Sequence, residues 1–243
     1  MALEIIPVKI EEDIEPNADI IDLVLKSAII KDYDILIFTQ KIISKSEGRI
    51  VDLSSVNPSL LASGIANSYG KDPRLVELIL SESKRIVRMQ ESVIIVESNH
   101  GFVCANAGID ESNVRDGYVT LLPEDPDQSA DKLKKQIEQR AKKNTAVIIS
   151  DTFGRPFRLG QANVAIGITG IEPIIDYKGK PDTFGKILQV TSMAVADELC
   201  SASELVMGKV KNCPVAIVRN FKFDFSDAKI QKIIRPKAED LFR

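Results

Sequence analysis

Histidine is nearly missing from this chain: His100 is the single one in 243 residues. Chemistry that needs two imidazoles, from histidine-rich zinc sites to the HExxH helix, is excluded. Tryptophan is absent, and the three cysteines, Cys104, Cys200 and Cys213, are far apart and odd in number. They offer neither a CxxC metal pair nor a disulfide framework, and they fit a reducing cytoplasm. No apolar run approaches the ~18 residues of a membrane span. The opening segment MALEIIPVKIEEDIEP has neither the basic start nor the apolar stretch of a secretory leader. An excess of one charge is missing too. Thirty-two basic residues against 35 acidic give a net charge of −3, which provides no field for coating nucleic acid. No G-x-x-x-x-G-K-[ST] occurs, and no G-x-G-x-x-G follows a strand, so neither a P-loop nor a Rossmann site is indicated. Neither nucleic acid nor a membrane is expected as a partner.

What is present is a folding composition. Apolar residues make up 44% and charged residues 28%, which places the chain among globular proteins rather than disordered ones. At ~150 residues per domain the length allows one domain or two. There is no fixed-period repeat, no low-complexity segment and no linker legible from composition. The chain reads as one domain over residues 1–243, with any boundary between two subdomains unplaced. Apolar spacing predicts strands at 4–9, 35–39, 86–89, 92–97, 102–105, 118–122, 146–150, 164–169 and 214–219. It predicts helices at 19–30, 58–69, 73–83, 129–143 with Ser129 as N-cap, and 191–207 as the longest. A further helix is predicted over 226–243, broken near Pro236. Strands and helices mix without regular βαβ alternation, so the expected class is α+β with mixed sheets.

Four segments concentrate chemistry beside apolar strands. TQKIISKSEGR (39–49) follows a buried strand and carries Lys41 and Lys45 four residues apart. On a helix these share a face, where like charges are unfavourable unless an anion lies between them; the other reading is a solvated turn. In NAGIDESNV (106–114), Asp110 stands in a glycine-containing loop and suits a hard cation, or else closes an Asx turn together with Asn113. In SDTFGRPFRLG (150–160) a strand delivers Asp151 and Thr152, a carboxylate and a hydroxyl suited to Mg²⁺ or Mn²⁺. Arg155 and Arg158 follow in a loop expected over 151–163, and guanidinium groups grip phosphate and carboxylate bidentately. The alternative there is a structural Asp–Arg pair. The fourth segment is Met207-Gly208-Lys209, in which Gly208 also reads as an ordinary helix C-cap. Cys104 and Cys200 sit in apolar surroundings and read as buried, and His100 as a turn residue.

Taken together, these segments resemble the coenzyme F420-0:L-glutamate ligase family, also called F420-0 gamma-glutamyl ligase. The resemblance runs through TQKIISKSEGRI (39–50), NAGIDESNV (106–114), LLPEDPDQSADKL (121–133), SDTFGRPFRLGQANVAIGITGI (150–171), ADEL (196–199), VMGK (206–209) and PVAIVR (214–219), in that order. It implies an α+β fold in an intertwined cytoplasmic homodimer. It implies a GTP-dependent ligase that joins L-glutamate to the lactyl carboxylate of coenzyme F420-0 through an acyl phosphate, then adds a second glutamate by a gamma linkage. Mn²⁺ or Mg²⁺ at two sites is implied, with K⁺ as a further cation.

By position, Asp110 and Asp151 resemble the family's metal carboxylates, and Thr152 a ligand of the second metal. Gln40, Lys41, Lys45 and Asn113 match nucleotide-contacting positions. So do Glu11, Glu12, Asp13 and Ile14, expected to act through backbone, and Met207, Gly208 and Lys209. The pattern departs at MGKVKN (207–212), where some relatives read MGEGGDG: Lys209 stands where an acid would, and cannot ligate a metal as one does. Arg155 and Arg158 are the expected grips on the acceptor. Two other functions are compatible with these residues, a gamma-glutamyl ligase for a folate or pterin acceptor and a non-catalytic nucleotide- or metal-binding homologue.

Overall fold

The computed structural model describes residues 1–240. In chain order the elements are β1 (Glu4–Val8), α1 (Ile20–Ser27), β2 (Ile35–Thr39), α2 (Gln40–Ser46), β3 (Ile50–Asp52), α3 (Leu60–Tyr69), α4 (Pro73–Ser81), β4 (Ser83–Gln90), β5 (Val93–Ser98), β6 (Val103–Ala105), β7 (Tyr118–Thr120), α5 (Pro126–Ala141), β8 (Ala146–Arg155), β9 (Arg158–Thr169), β10 (Ile175–Asp176), β11 (Ser192–Met193), α6 (Val195–Met207) and β12 (Val215–Arg219). Helices and mixed sheets are both substantial, as the α+β reading expects.

A five-stranded sheet in the order β1-β12-β2-β8-β9 carries the main core. Its centre, β2, pairs antiparallel with β12 and parallel with β8. Ile35, Leu36, Ile37 and Phe38 are wholly buried, the unbroken apolar run of a strand covered on both faces. The helix α5 lies directly on β9. A Cβ on Gly167 would come within 2.5 Å of the Pro126 carbonyl, so only glycine allows this approach. A second apolar cluster is built from α3, α4, β5, β7 and their loops around Val76, Ile79, Ile94, Val96 and Val119.

Several helix boundaries differ from the expected ones for identifiable reasons. The helix expected from Ser129 starts at Pro126, because Asp125 accepts from the Gln128 amide at 2.9 Å and proline suits the first helical position. The helix expected over 58–69 starts at Leu60, where the Ser59 hydroxyl caps the Ala62 amide. Residues expected to open the helix at 191 instead pair as β11 with β10, leaving α6 with 13 residues and making α5, with 16, the longest helix. The expected loop over 151–163 is a hairpin: β8 and β9 continue antiparallel to Arg155↔Arg158, with Pro156 and Phe157 at the turn and Phe157 at φ 62°.

The expected C-terminal helix is also replaced. Within 226–240 there are only short 3₁₀ turns, at Ile230–Lys232 and Lys237–Glu239, and residues 241–243 lie outside the described residues. Just before it, Phe221, Phe223 and Phe225 alternate with polar residues, an extended pattern. Phe223 and Phe225 pack on Tyr33, at ring centroid distances of 6.2 and 5.2 Å. Ile230 is buried in the main core, and its amide donates to Asp127 at 3.1 Å. Ile230→Ala is expected to cost ~2–5 kcal/mol, the scale of a buried large-to-small change, read as a lower urea midpoint. An unchanged midpoint would show that this segment is not anchored to the core.

Candidate active site

Three strand ends and the middle of a fourth strand meet at one edge of the five-stranded sheet. Val8 pairs with Val215, Val215 with Phe38, and Thr39 with Ser150. The loop after β1, the loop before β12, the start of α2 and the middle of β8 therefore share one edge. Backbone bonds tie them: the Ile10 amide donates to the Asn212 carbonyl at 2.9 Å, and the Thr39 amide to Pro214 at 2.9 Å. This edge lies outside the carboxyl ends of the parallel pair β2/β8, where such sheets offer their clefts. Asp151 is the first residue of β8 beyond its partnership with β2.

Asp110 reaches the same edge from the second cluster. Its backbone pairs with Thr120, and its carboxylate meets the Lys41 ammonium at 2.6 Å. Lys41 also donates to the Ser112 carbonyl and hydroxyl, at 2.9 and 2.6 Å. The Ser112 amide donates to Asp110 at 2.7 Å, so Asp110 closes an Asx-type turn and keeps an outward ion pair. Burial would raise the Asp110 carboxyl, but the Lys41 ammonium and the Ser112 donors outweigh it and hold it below its usual value. Asp151 goes the other way. Desolvation, reinforced by the Asp110 charge, pushes it up to about 7 against the Thr152 amide, Lys209 and Lys41.

On the other side of the edge, Thr152 donates its hydroxyl proton to Asn163 Oδ1 at 2.7 Å. The Lys209 ammonium donates to Thr152 Oγ1 at 2.6 Å, and the Asn163 amide to Glu204 at 3.3 Å.

Residues 8–220 match the sequence model of the family described as F420-0:Gamma-glutamyl ligase. The chain belongs to this family. The coenzyme F420:L-glutamate ligase of Methanothermobacter thermautotrophicus is 48% identical over 215 residues, 87% of this chain and 85% of that protein. The coenzyme F420:L-glutamate ligase of Methanocaldococcus jannaschii is 46% identical, over 88% of this chain and 86% of that protein. That of Methanopyrus kandleri is 42% identical over 99% of this chain and 98% of its own length. The tail packed around Ile230 lies beyond the segment matched by the F420-0:gamma-glutamyl ligase model.

Most positions that the family resemblance singles out gather at this edge. Lys41 and Lys45 lie on α2, and Lys45 has no ion pair among the described residues. Gln40 is buried and accepts from the Ser44 hydroxyl at 2.7 Å. Glu11, Glu12 and Asp13 are exposed on the loop after β1, Glu11 paired with Lys9, while Ile14 is buried. Met207 is buried and Gly208 caps α6 at φ 60°. Asn113 is exposed in the Asp110 loop with φ 56°.

The arginines stand apart from the edge. Arg155 is four residues along β8 from Asp151, roughly 13 Å at strand spacing. Its guanidinium holds the Leu159 and Gly160 carbonyls, at 2.6 and 3.4 Å. Arg158 is its exposed register partner, and neither arginine pairs with Asp151. Cys104 and Cys200 are buried as expected, and burial with the Asp151 charge pushes the Cys104 thiol up to about 12.

Asn163 and Glu204 were not legible as site residues. Asn163 falls at the end of the expected loop and Glu204 inside a helix. A turn at Pro156 and Phe157 alone would set Gln161 across from Thr152; the register shift between Gly154 and Arg155 brings Asn163 there instead, and no local signal in the sequence gives that shift.

The donor set of Asp110 and Asp151 fits a hard divalent cation. Both would offer carboxylate oxygens, whose mutual repulsion such an ion would relieve, and together they outnumber the one Lys41 ammonium on Asp110. Around Thr152 the fit fails for a second ion, because the one carboxylate of that cluster, Glu204, is already matched by the Lys209 ammonium.

The Asp151 shift has a measurable consequence. Its carboxyl rises from 3.8 to about 7, so ionising it opposes folding. That destabilisation is absent below pH 4, grows between pH 4 and 7, and is complete above. Asp151→Asn, free of metal, is expected to melt higher than wild type at pH 8, with the gap closing toward pH 4. Mn²⁺ should narrow the gap at pH 8 by stabilising wild type alone. A variant that melts lower at pH 8 would refute this account.

Proposed function

We propose that this chain is a GTP-dependent ligase that joins L-glutamate to coenzyme F420-0. The γ-phosphoryl group of GTP passes to the lactyl carboxylate, giving an acyl phosphate and GDP. The glutamate amine then attacks the acyl carbon, the amide bond forms and phosphate leaves. A second glutamate follows by a gamma linkage. The observation that carries this reading is the convergence of Asp110, Asp151 and Lys41 at the carboxyl edge of β2/β8, in a chain of this family.

Phosphoryl transfer needs charge neutralisation and alignment more than covalent help. Asp110 and Asp151 would hold one Mn²⁺ or Mg²⁺, which when bound supplies that neutralisation. Lys41 keeps Asp110 ionised and oriented. Lys45, one helical turn on and without an ion pair among the described residues, is a point charge for the nucleotide phosphates. The backbone around Glu11, Glu12, Asp13 and Ile14, tied to the Asn212 carbonyl through Ile10, closes the nucleotide side. Arg158 is exposed and has no ion pair among the described residues, which leaves it for the acceptor's phosphate or carboxylate. The incoming amine gives its proton to water or to a phosphate oxygen.

The deciding experiment is mass spectrometry of coenzyme F420-0 after incubation with protein, glutamate, GTP and Mn²⁺. The expected product is heavier by one or two glutamyl residues. Asp110→Asn should cut the rate by ~10²–10³-fold, the scale for losing one group that stabilises developing charge, with the melting curve still cooperative. Unchanged coenzyme, or product only with a pterin or folate acceptor, would refute the assignment.

The β8–β9 arm supports a homodimer. Beyond the sheet it leaves Leu159 98% exposed, apolar surface that a second copy would cover. Light scattering at micromolar concentration should give a dimer for wild type and a monomer for Leu159→Glu. A monomeric wild type that retains activity would rule the dimer out.

A further inference from the structure

Lys209 follows the residue that ends α6, and its side chain turns back onto the sheet. Three oxygens from three elements converge on its ammonium: Thr152 Oγ1 of β8 at 2.6 Å, Asn163 Oδ1 of β9 at 3.4 Å and Glu204 Oε2 of α6 at 3.5 Å. A hydroxyl, an amide carbonyl and a carboxylate form the donor set of a hard-cation site. The cluster is organised. Thr152 and Asn163 are register partners, so the β8/β9 ladder sets their spacing. Asn163 is buried, and its three side-chain contacts agree on one amide orientation, with Oδ1 toward Thr152 and Lys209 and Nδ2 toward Glu204.

We infer that the Lys209 ammonium is a built-in cation occupying this oxygen cluster, so that the chain carries one exchangeable divalent site, at Asp110 and Asp151, rather than two. The inference rests on the proposed ligase reading for what the site serves; the geometry is independent of it. The Lys209 ammonium balances the one carboxylate among these oxygens, Glu204, so a divalent ion there meets like charge with no net negative charge to hold it, whereas Asp110 and Asp151 present two carboxylates against the single Lys41 ammonium. A tethered ammonium does not dissociate, so its charge remains in this oxygen cluster at any metal concentration. Without Lys209, the oxygens Thr152, Asn163 and Glu204 become a vacant cation site.

The test counts Mn²⁺ bound per chain by equilibrium dialysis of the whole protein with GDP, alongside melting curves in K⁺ and in tetramethylammonium. Wild type is expected to saturate at one Mn²⁺ and to melt alike in both salts. Lys209→Ala and Lys209→Met should accept a second cation, seen as a second Mn²⁺ or as a melting temperature that rises with K⁺ only. Lys209→Arg should stay at one. Two Mn²⁺ on wild type, or Lys209→Ala with one Mn²⁺ and no K⁺ response, would overturn the inference. Asp110→Asn separates the two readings: if it keeps the wild-type Mn²⁺, the divalent site of the proposed ligase fails while the Lys209 comparison still stands.

Discussion

The pairing of β2 with β8 organises this molecule, because the two parallel strands have unequal lengths. β2 ends at Thr39 and turns into α2, while β8 runs five residues further with β9 as its paired strand. Asp151 is therefore where β8 leaves the fully paired sheet. Its backbone is held by β9, and its side chain stands at the open edge. At the opposite end of β2, Asp34 is buried and takes a bidentate grip from Arg219 of β12, at 2.8 and 2.7 Å. The Lys31 amide also donates to Asp34, at 2.7 Å. That buried, fully bonded pair fixes β2 against β12, and the strand register carries its precision to the functional edge.

The electrostatics of that edge follow from crowding two carboxylates and several cations at the rim of an apolar sheet. Asp110 has Lys41 and the Ser112 donors and is held ionised; Asp151 is desolvated by deep burial, has one amide donor and a like charge nearby, and is pushed up. Neither residue type decides this, since both are aspartates. The difference lies in the deeper burial of Asp151 and in the donors that Asp110 has and Asp151 lacks. The strain is local and is of the kind that functional sites keep at the expense of stability.

The hairpin arm and the tail show two ways that local sequence misleads. Gly154, Arg155, Pro156 and Gly160 look like loop residues, yet the ladder runs on to Arg155↔Arg158, with Pro156 in the tight turn and Gly160 in a register shift, because β9 is long enough to pair with β8 to its end. The tail has helix-compatible spacing, but Phe223, Phe225 and Ile230 each find a surface to pack on, and Asp127 takes the Ile230 amide. Tertiary burial outweighs a weak helical preference in both places.

By itself the sequence determined the apolar strands at 35–39 and 146–150, the mixed α+β class, the burial of Cys104 and Cys200, and the family. These rest on local apolar runs and on ordered motifs, which survive without knowledge of distant contacts. Asp110, Asp151, Thr152, Lys41 and Lys209 could each be named from their motifs. That Lys41 pairs with Asp110, 69 positions away, and that Lys209 meets Thr152 and Asn163 were decided only by the tertiary structure. The physical reason is that register and crossover, not local spacing, set which strand ends share an edge. A side chain's charge partner is chosen there, after the sheet has closed.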